Sequence, residues 1–366
     1  MRRYFAFIFV LLILGACGNS GGNIPVEPFL QIEAGELSGY AIDKNGILWA
    51  WGANEHGQLG NGTTTDSHYP LRIMENIAHI SARNHVLAID NDGGLWAFGS
   101  NISGKLGVHF GGMQGLYPMF VMDGVIAASA GAHYSAAITH DGGLYTWGRN
   151  AHGQLGDGST FDNRRPQRVM DNVVAVSLGH THTMALDADG TVWTWGVNHL
   201  GQIGDGTTTT RQSPIAIMDN VYAISAGSSN SMALQNNGAL WAWGVNLAGQ
   251  LGDGTVEAQH SPIQIADGVA EVFAALGHSM LLSTDFSLYT FGWNEFGQLG
   301  QGYASEDWVG NYPQRVMDDM MFAAGGGGHV LAVDKDGILY TWGRNDHGQL
   351  GDGTTDNRHS PRRVFE

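Results

Sequence analysis

Short apolar runs of four or five residues alternate with clusters of Gly, Asn, Asp and Thr along almost the whole chain. The stretch from 173 to 217 shows the pattern. Val173-Val174-Ala175-Val176-Ser177 is followed by Gly179-His180-Thr181-His182 and then by a second run, Thr183 to Leu186. Asp189-Gly190 separates that run from a third, Thr191 to Gly196, and a polar loop leads through Pro214 to Ile215-Ala216-Ile217. Runs this short, rich in Val, Ile, Thr, Trp and Tyr and bounded by turn residues, predict strands rather than helices. The Asp-Gly dipeptide predicts a hairpin with φ > 0 at both central residues. Pro214 predicts the opening of the fourth strand, where no ladder bond is lost.

The same four-run unit occurs seven times. Its Trp-Gly or Phe-Gly landmark falls at Trp51, Phe98, Trp147, Trp195, Trp243, Phe291 and Trp342, at intervals of 47, 49, 48, 48, 48 and 51 residues. A fixed period of this size means one supersecondary unit stacked on itself. Four short strands in each of seven units predict an all-β fold, a seven-bladed β-propeller of four-stranded antiparallel blades. Two large rings precede each landmark glycine at i and i+2, as in Trp193/Trp195, so both point to one face of the strand. Such a stripe suits packing between blades. The repeat motif residues Trp51, Gly52, Trp147, Gly148, Trp195, Gly196, Trp243, Gly244, Trp342 and Gly343 are therefore expected to be structural. The chain ends on Pro361-Arg362-Arg363-Val364 with no later unit. That strand is expected to complete the first blade, closing the ring by pairing N- and C-terminal strands and removing open sheet edges.

Composition narrows the function. The chain carries 55 Gly among 366 residues, as many tight turns require. Its net charge of −17 argues against nucleic acid or an anionic lipid surface as the main partner. A monomeric domain is expected, and no cofactor is implied. Cys17 is the only cysteine, so the chain can form no internal disulfide.

The first 17 residues read as a targeting segment. Arg2 and Arg3 precede an apolar run to Leu14, too short for a membrane-spanning helix. The run ends in Leu14-Gly15-Ala16-Cys17, which resembles the lipobox of bacterial lipoproteins. The resemblance implies cleavage before Cys17 and its lipidation. Residues 18–28 are rich in Gly, Asn and Pro and read as a flexible tether, leaving 29–366 for the propeller. The expected location is the cell membrane or outer membrane of a bacterium, with the membrane contacted through the lipid alone.

The core Trp-Gly-x-Asn-x-x-Gly-Gln-Leu-Gly, with Ala-Gly-x-x-His and Asp-Gly-x-Leu-Tyr-x-Trp, resembles the RCC1-type repeat across residues 29 to 366. The resemblance implies the seven-bladed propeller. Functions within the family are diverse: a guanine-nucleotide exchange factor that also binds nucleosomes, an inhibitor of β-lactamases, and interaction modules. The exchange factor acts through a wedge inserted in one blade, and this chain has no comparable insertion.

The copies differ most in the loop after the landmark. The interval from its Leu or Ile to the following Pro is 11 residues in five copies, 12 in the second (106 to 118) and 14 in the sixth (299 to 313). The second loop holds Phe110 and Tyr117, and Lys105 replaces its Gln; the sixth holds Tyr303, Trp308 and Tyr312. Aromatic residues on longer loops of a rigid scaffold are candidate partner-binding anchors. Neutral loop drift, or rings folded back over the blade edge, is the favoured explanation, because loops readily accept insertions.

Other candidate chemistry is better explained by structure. His85, His182, His278 and His329 recur after the first turn, where a ring of imidazoles could hold a metal. They are expected instead to hydrogen-bond neighbouring backbone. Asp157, Asp205, Asp253 and Asp352 precede glycine in single-carboxylate turns, too few ligands for calcium. No Walker loop, Gly-x-Ser-x-Gly or His-Glu-x-x-His is present. The expected function is a lipid-anchored scaffold for an unknown protein partner. The alternative is a propeller enzyme or glycan-binding protein, with nucleotide exchange a more distant third.

Overall fold

The computed structural model describes residues 29–108, 111–305 and 310–364. Twenty-eight strands among them form seven four-stranded antiparallel sheets, each built from four consecutive strands. The sole helical element among the described residues is a single 3-10 turn, Ile102–Gly104. In the first blade the strands are Phe29–Ala34, Ser38–Asp43, Leu48–Gly52 and Ser67–Met74. The innermost strands of the other blades are Ile77–Ala82, Val125–Ala130, Val173–Leu178, Val221–Ala226, Val269–Ala274 and Met320–Gly325. They surround a central channel, and each outermost strand is the most solvent-exposed of its blade, as Asn163–Met170 shows.

The expected strand exchange at the ring junction does not occur. The last strand, Arg358–Arg363, pairs with Leu339–Gly343 of its own blade (Tyr340↔Arg363, Thr341↔Arg362), and the first blade is complete without it. The reason is local. The compact loop after each landmark folds the chain straight back on the strand it has just left, so the outer strand is already paired before the next blade begins. The ring closes by packing instead. Ile32, Ala34, Ala41 and Trp51 of the first blade share one core with Ala324, Leu331, Val333 and Leu339 of the seventh.

Two further expectations change in detail. The outer strand starts before its proline: Arg211–Met218 contains Pro214. The proline lies in a register shift, where Thr194 faces Ile215 and Gly196 faces Arg211, so its missing N–H interrupts no ladder bond. The Asp189-Gly190 hairpin is a longer loop in which only Gly190 has positive φ (84°). Asp187 Oδ1 accepts from the amides of Asp189 and Thr191, and its Oδ2 from Trp193 Nε1, so the aspartate side chain shapes the turn.

The aromatic stripe packs between blades as expected. Trp195 is fully buried and, with the partly buried Trp193, packs against Tyr134, Ile138 and Leu144 of the preceding blade. Trp243 and Trp241 repeat this against Met184, Leu186 and Val192.

A candidate partner-binding face at the channel mouth

The landmark loop is held from within. Asn345 is fully buried; its Oδ1 accepts from Leu350 N (2.9 Å), and its Nδ2 donates to Asp352 Oδ1 and Thr354 O (3.2 and 3.1 Å). Gln349 Oε1 accepts from His347 N at 2.8 Å. Asn54, Asn150, Asn198 and Asn246 make the same bonds in their copies. The loop aspartates serve as turn acceptors: Asp157 Oδ1 takes Asn150 Nδ2 and Ser159 N. No group of three or more His, Cys, Asp or Glu among the described residues is placed to hold a metal ion. The landmark glycine is required. Gly52, Gly148, Gly196, Gly244 and Gly343 have φ near 100°, and a Cβ on Gly343 would lie 2.4 Å from Gly328 O.

The recurrent histidines are buried at the start of the second strands. Two of them bond side chains of the next blade, His85 Nε2 meeting Ser135 Oγ at 2.7 Å and His182 Nε2 meeting Ser231 Oγ at 3.0 Å, while His182 and His329 also meet the backbone of Asn230 and Ser38. Burial pushes the His182 and His278 imidazoles down to about 3 and His329 to about 4, so all three are neutral at physiological pH. They link and fill the blades.

Of the aromatic anchors expected on the irregular loops, three lie within the described residues. Phe110 and Trp308 lie outside the described residues, as does Cys17. Tyr117 and Tyr312 are exposed (64% and 59%) on the outer strands of blades two and six, which are three blades apart by the shorter way round the ring. Each ring lies against a glycine of the preceding blade's loop, Gly62 and Gly254 respectively. Tyr69 does the same against Gly353, in a copy whose loop has the regular length. The shared signal is the residue just before the proline, a repeat position. Tyr303, 45% exposed, accepts from Asn294 Nδ2 through its carbonyl.

What sequence reasoning missed is at the mouth of the channel. The turn between first and second strands shares a face with the landmark loop: Ser38 pairs with Gly52, and Ala53 N donates to Leu37 O. These turns meet around the channel. Gly327 N donates to Glu36 O, His180 N to Ser228 O, and Ser228 N to Ala275 O. Their second residues do not repeat, and they differ in chemistry around the ring. Blades one to four bring Glu36, Arg83, Lys105, His133, Arg149 and His180 within electrostatic reach of one another. Asn84 Nδ2 donates to Glu36 Oε2 at 2.6 Å, and the His133 and His180 rings meet edge to face at 5.3 Å.

Lys105 is the residue that breaks the Gln rule. It is 1% exposed, and its Nζ donates to Ala132 O at 2.9 Å. Burial lowers its ammonium to about 8, with Glu36 pulling the other way. His133 is lowered to about 4 by burial and then by Lys105, His180 and Arg149. Below the mouth, Glu33 is crowded by the inner strands without being sealed from water; burial raises its carboxyl to about 7, against the pull of Ala82 N–H and Arg83. Blades six and seven contribute an apolar rim. Trp293 packs edge to face on Phe296 (5.3 Å), and Arg344 stacks over Phe296 at 4.9 Å.

Seven stapled four-stranded blades with this loop define a propeller built of one repeated unit. The chain belongs to the RCC1-like domain family, whose model matches residues 118–366, and an RCC1 (regulator of chromosome condensation) repeat is matched at 45–89. Human WBSCR16 has a similar crystal structure: TM-score 0.77 and 21% identity, covering 87% of this chain and 94% of that one. Prp20p of Saccharomyces cerevisiae, a protein characterised for binding Gsp1p and histones, gives a TM-score of 0.78 at 22% identity, covering 94% of this chain and 87% of its own. At these identities the likeness is one of fold. The E3 ubiquitin-protein ligase HERC2 of Homo sapiens is 56% identical over 36 residues, 10% of this chain. That match spans 1% of the ligase's length.

Proposed function

We propose that this chain is an exported, lipid-anchored RCC1-like propeller of a bacterial cell envelope, acting as a scaffold for a protein partner. The observation that carries the scaffold reading is a separation of roles. The residues that repeat are consumed internally, as Asn345 and Trp195 are, whereas residues that vary, such as Arg149 at the channel mouth and Tyr117 and Tyr312 on the outer strands, reach solvent. A rigid frame with variable surface positions is how repeat proteins present binding surfaces. The anchoring rests on Leu14-Gly15-Ala16-Cys17 after an apolar run.

Photo-crosslinking of the intact protein in its native envelope, followed by mass spectrometry, tests the scaffold. One predominant protein adduct is expected, reduced by Phe110→Ala or Trp308→Ala where the irregular loops contribute. Adducts spread over abundant proteins in proportion to their amounts would refute a specific partner. Mass spectrometry of the mature N-terminus tests the anchor, with an acylated Cys17 expected; an unmodified terminus at another residue overturns it.

A further inference from the structure

The channel mouth carries two guanidinium groups that no carboxylate pairs with directly among the described residues, in a chain of net charge −17. Arg83, half-buried in the first turn of blade two, makes no side-chain hydrogen bond or ion pair among the described residues; Glu33 and Glu36 act on it only at longer range. Arg149, exposed just after the third landmark, also has none. By contrast, Arg168, Arg211, Arg315, Arg344 and Arg358 all sit on carboxylates. A ligand carboxylate would lower the field energy of both the Arg83 and Arg149 guanidinium groups. Glu33 and Glu36, the latter accepting from the Asn84 amide, offset part of the Arg83 charge at longer range, while Lys105 adds a positive charge. His133 has a buried Nδ1 with no hydrogen-bond partner.

Across the same opening the chemistry is apolar. Leu276, Trp293 and Phe296 are partly exposed on blade six, lying over the buried Gly327 and Gly328 of blade seven, whose Arg344 stacks on Phe296. Arginines on blades two and three and aromatic rings on blade six of one mouth fit a ligand with negative charge on one side and an apolar group on the other. The alternating side chains of an extended peptide supply that arrangement at a period of two residues.

We propose that the channel mouth binds an extended acidic segment of a partner protein, its carboxylates on Arg83 and Arg149 and its apolar side chains against Trp293 and Phe296. The assignment rests on the scaffold reading above and specifies its surface. Arg83 and Arg149 give the fork geometry that a carboxylate accepts with two parallel hydrogen bonds.

The test uses the intact protein and a short fluorescein-labelled peptide of alternating Asp and Phe, with an Asn-Phe peptide as the neutral control, read by anisotropy. The Asp peptide should bind and the Asn peptide should not. Arg83→Gln combined with Arg149→Gln should weaken binding at least about tenfold, the effect of roughly 1.4 kcal/mol. Arg83→Lys with Arg149→Lys should recover part of it at an unchanged melting temperature, which separates loss of charge from loss of fold. Equal binding of both peptides, or binding indifferent to the double Gln variant, overturns the assignment. So does displacement of the peptide by an equal concentration of inorganic phosphate, which would make the site one for free oxyanions. An envelope partner captured equally well by the double Gln variant would sink the mouth assignment and leave the scaffold standing. Charge-dependent peptide binding without any captured protein would do the reverse.

Discussion

Trp51 Nε1 donates to the carbonyl oxygen of Gln349 at 2.9 Å, joining residues 298 positions apart across the seam between the first and last blades. The same bond runs from Trp147 to Lys105, Trp195 to Gln154, Trp243 to Gln202 and Trp342 to Gln298, at 2.9 to 3.0 Å. Each indole therefore fixes the loop of the preceding blade, and the ring junction is made like every other junction. Trp51→Phe keeps most of the packing and loses one buried hydrogen bond, about 1 kcal/mol; Phe98 and Phe291 show that the position accepts that ring. Trp51→Ala should cost about 3–5 kcal/mol. Chemical denaturation of the two variants checks this. Equal losses would mean that packing at the seam matters little.

Asn345 has no exposed surface and satisfies four groups of its loop. Asn345→Ala leaves the Leu350 amide and the Thr354 carbonyl short of partners inside the fold, which should cost about 2–6 kcal/mol in total at about 1–3 kcal/mol per stranded group. Asn345→Asp keeps the acceptor but sets a carboxylate against Asp352 and the Thr354 carbonyl. Both variants should melt below the parent, and Asp should be rescued in part at low pH. A pH-independent Asp variant would show that the amide donor is dispensable.

Much of this fold is legible in the sequence because seven copies average out the ambiguity of any one strand. Trp193/Trp195 and Asn345/Gln349 could be assigned structural roles by counting. Strand partners were harder. Pro361-Arg362-Arg363 reads the same whether it joins the blade behind it or the blade ahead, and only the path of the loop after Trp342 decides. The channel mouth was hidden for a different reason. Arg83, His133 and His180 are about 48 residues apart and sit in turns of two or three residues, so each looks like ordinary turn variation until the ring brings them together. The buried histidine column one step away repeats, and so attracts notice, although its members are packed between blades.

Gly343 has φ of 97°, and an added Cβ would fall 2.4 Å from Gly328 O and 2.8 Å from His329 Cα. Those atoms are backbone and cannot move aside without disturbing the second strand. Gly343→Ala should therefore destabilise by more than the roughly 1 kcal/mol typical of a conformational penalty alone. Gly124→Ala is the control. It also has positive φ, 72°, but nothing lies within 4 Å of its would-be Cβ. A melting temperature drop clearly larger for Gly343→Ala is expected; equal drops would show that φ, not the close approach, is what demands glycine.

Glu271 lies on the innermost strand of blade six, opposite Leu282, where the first blade has Gln31 opposite Ile42. Burial raises its carboxyl to about 7. The native state then holds a proton that the unfolded chain releases near pH 4.5, so stability contributed at low pH is lost as pH rises from about 4.5 through 7. Buried His182, His278 and His329 act with the opposite sign. Their imidazoles are lowered to about 3 or 4, so the unfolded chain takes up protons first, and stability present above about pH 6.5 is lost as pH falls. The parent protein should thus be most stable near neutrality and unfold in acid. Glu271→Gln isolates the carboxyl. Each tenfold change in a group's acid constant between unfolded and folded chain is worth about 1.4 kcal/mol. The variant should therefore match the parent near pH 4.5 and exceed it by about 1–3 kcal/mol at pH 8. Denaturant titrations at both pH values measure the difference, and an increment of the same size at each would mean that the carboxyl is not held neutral in the fold.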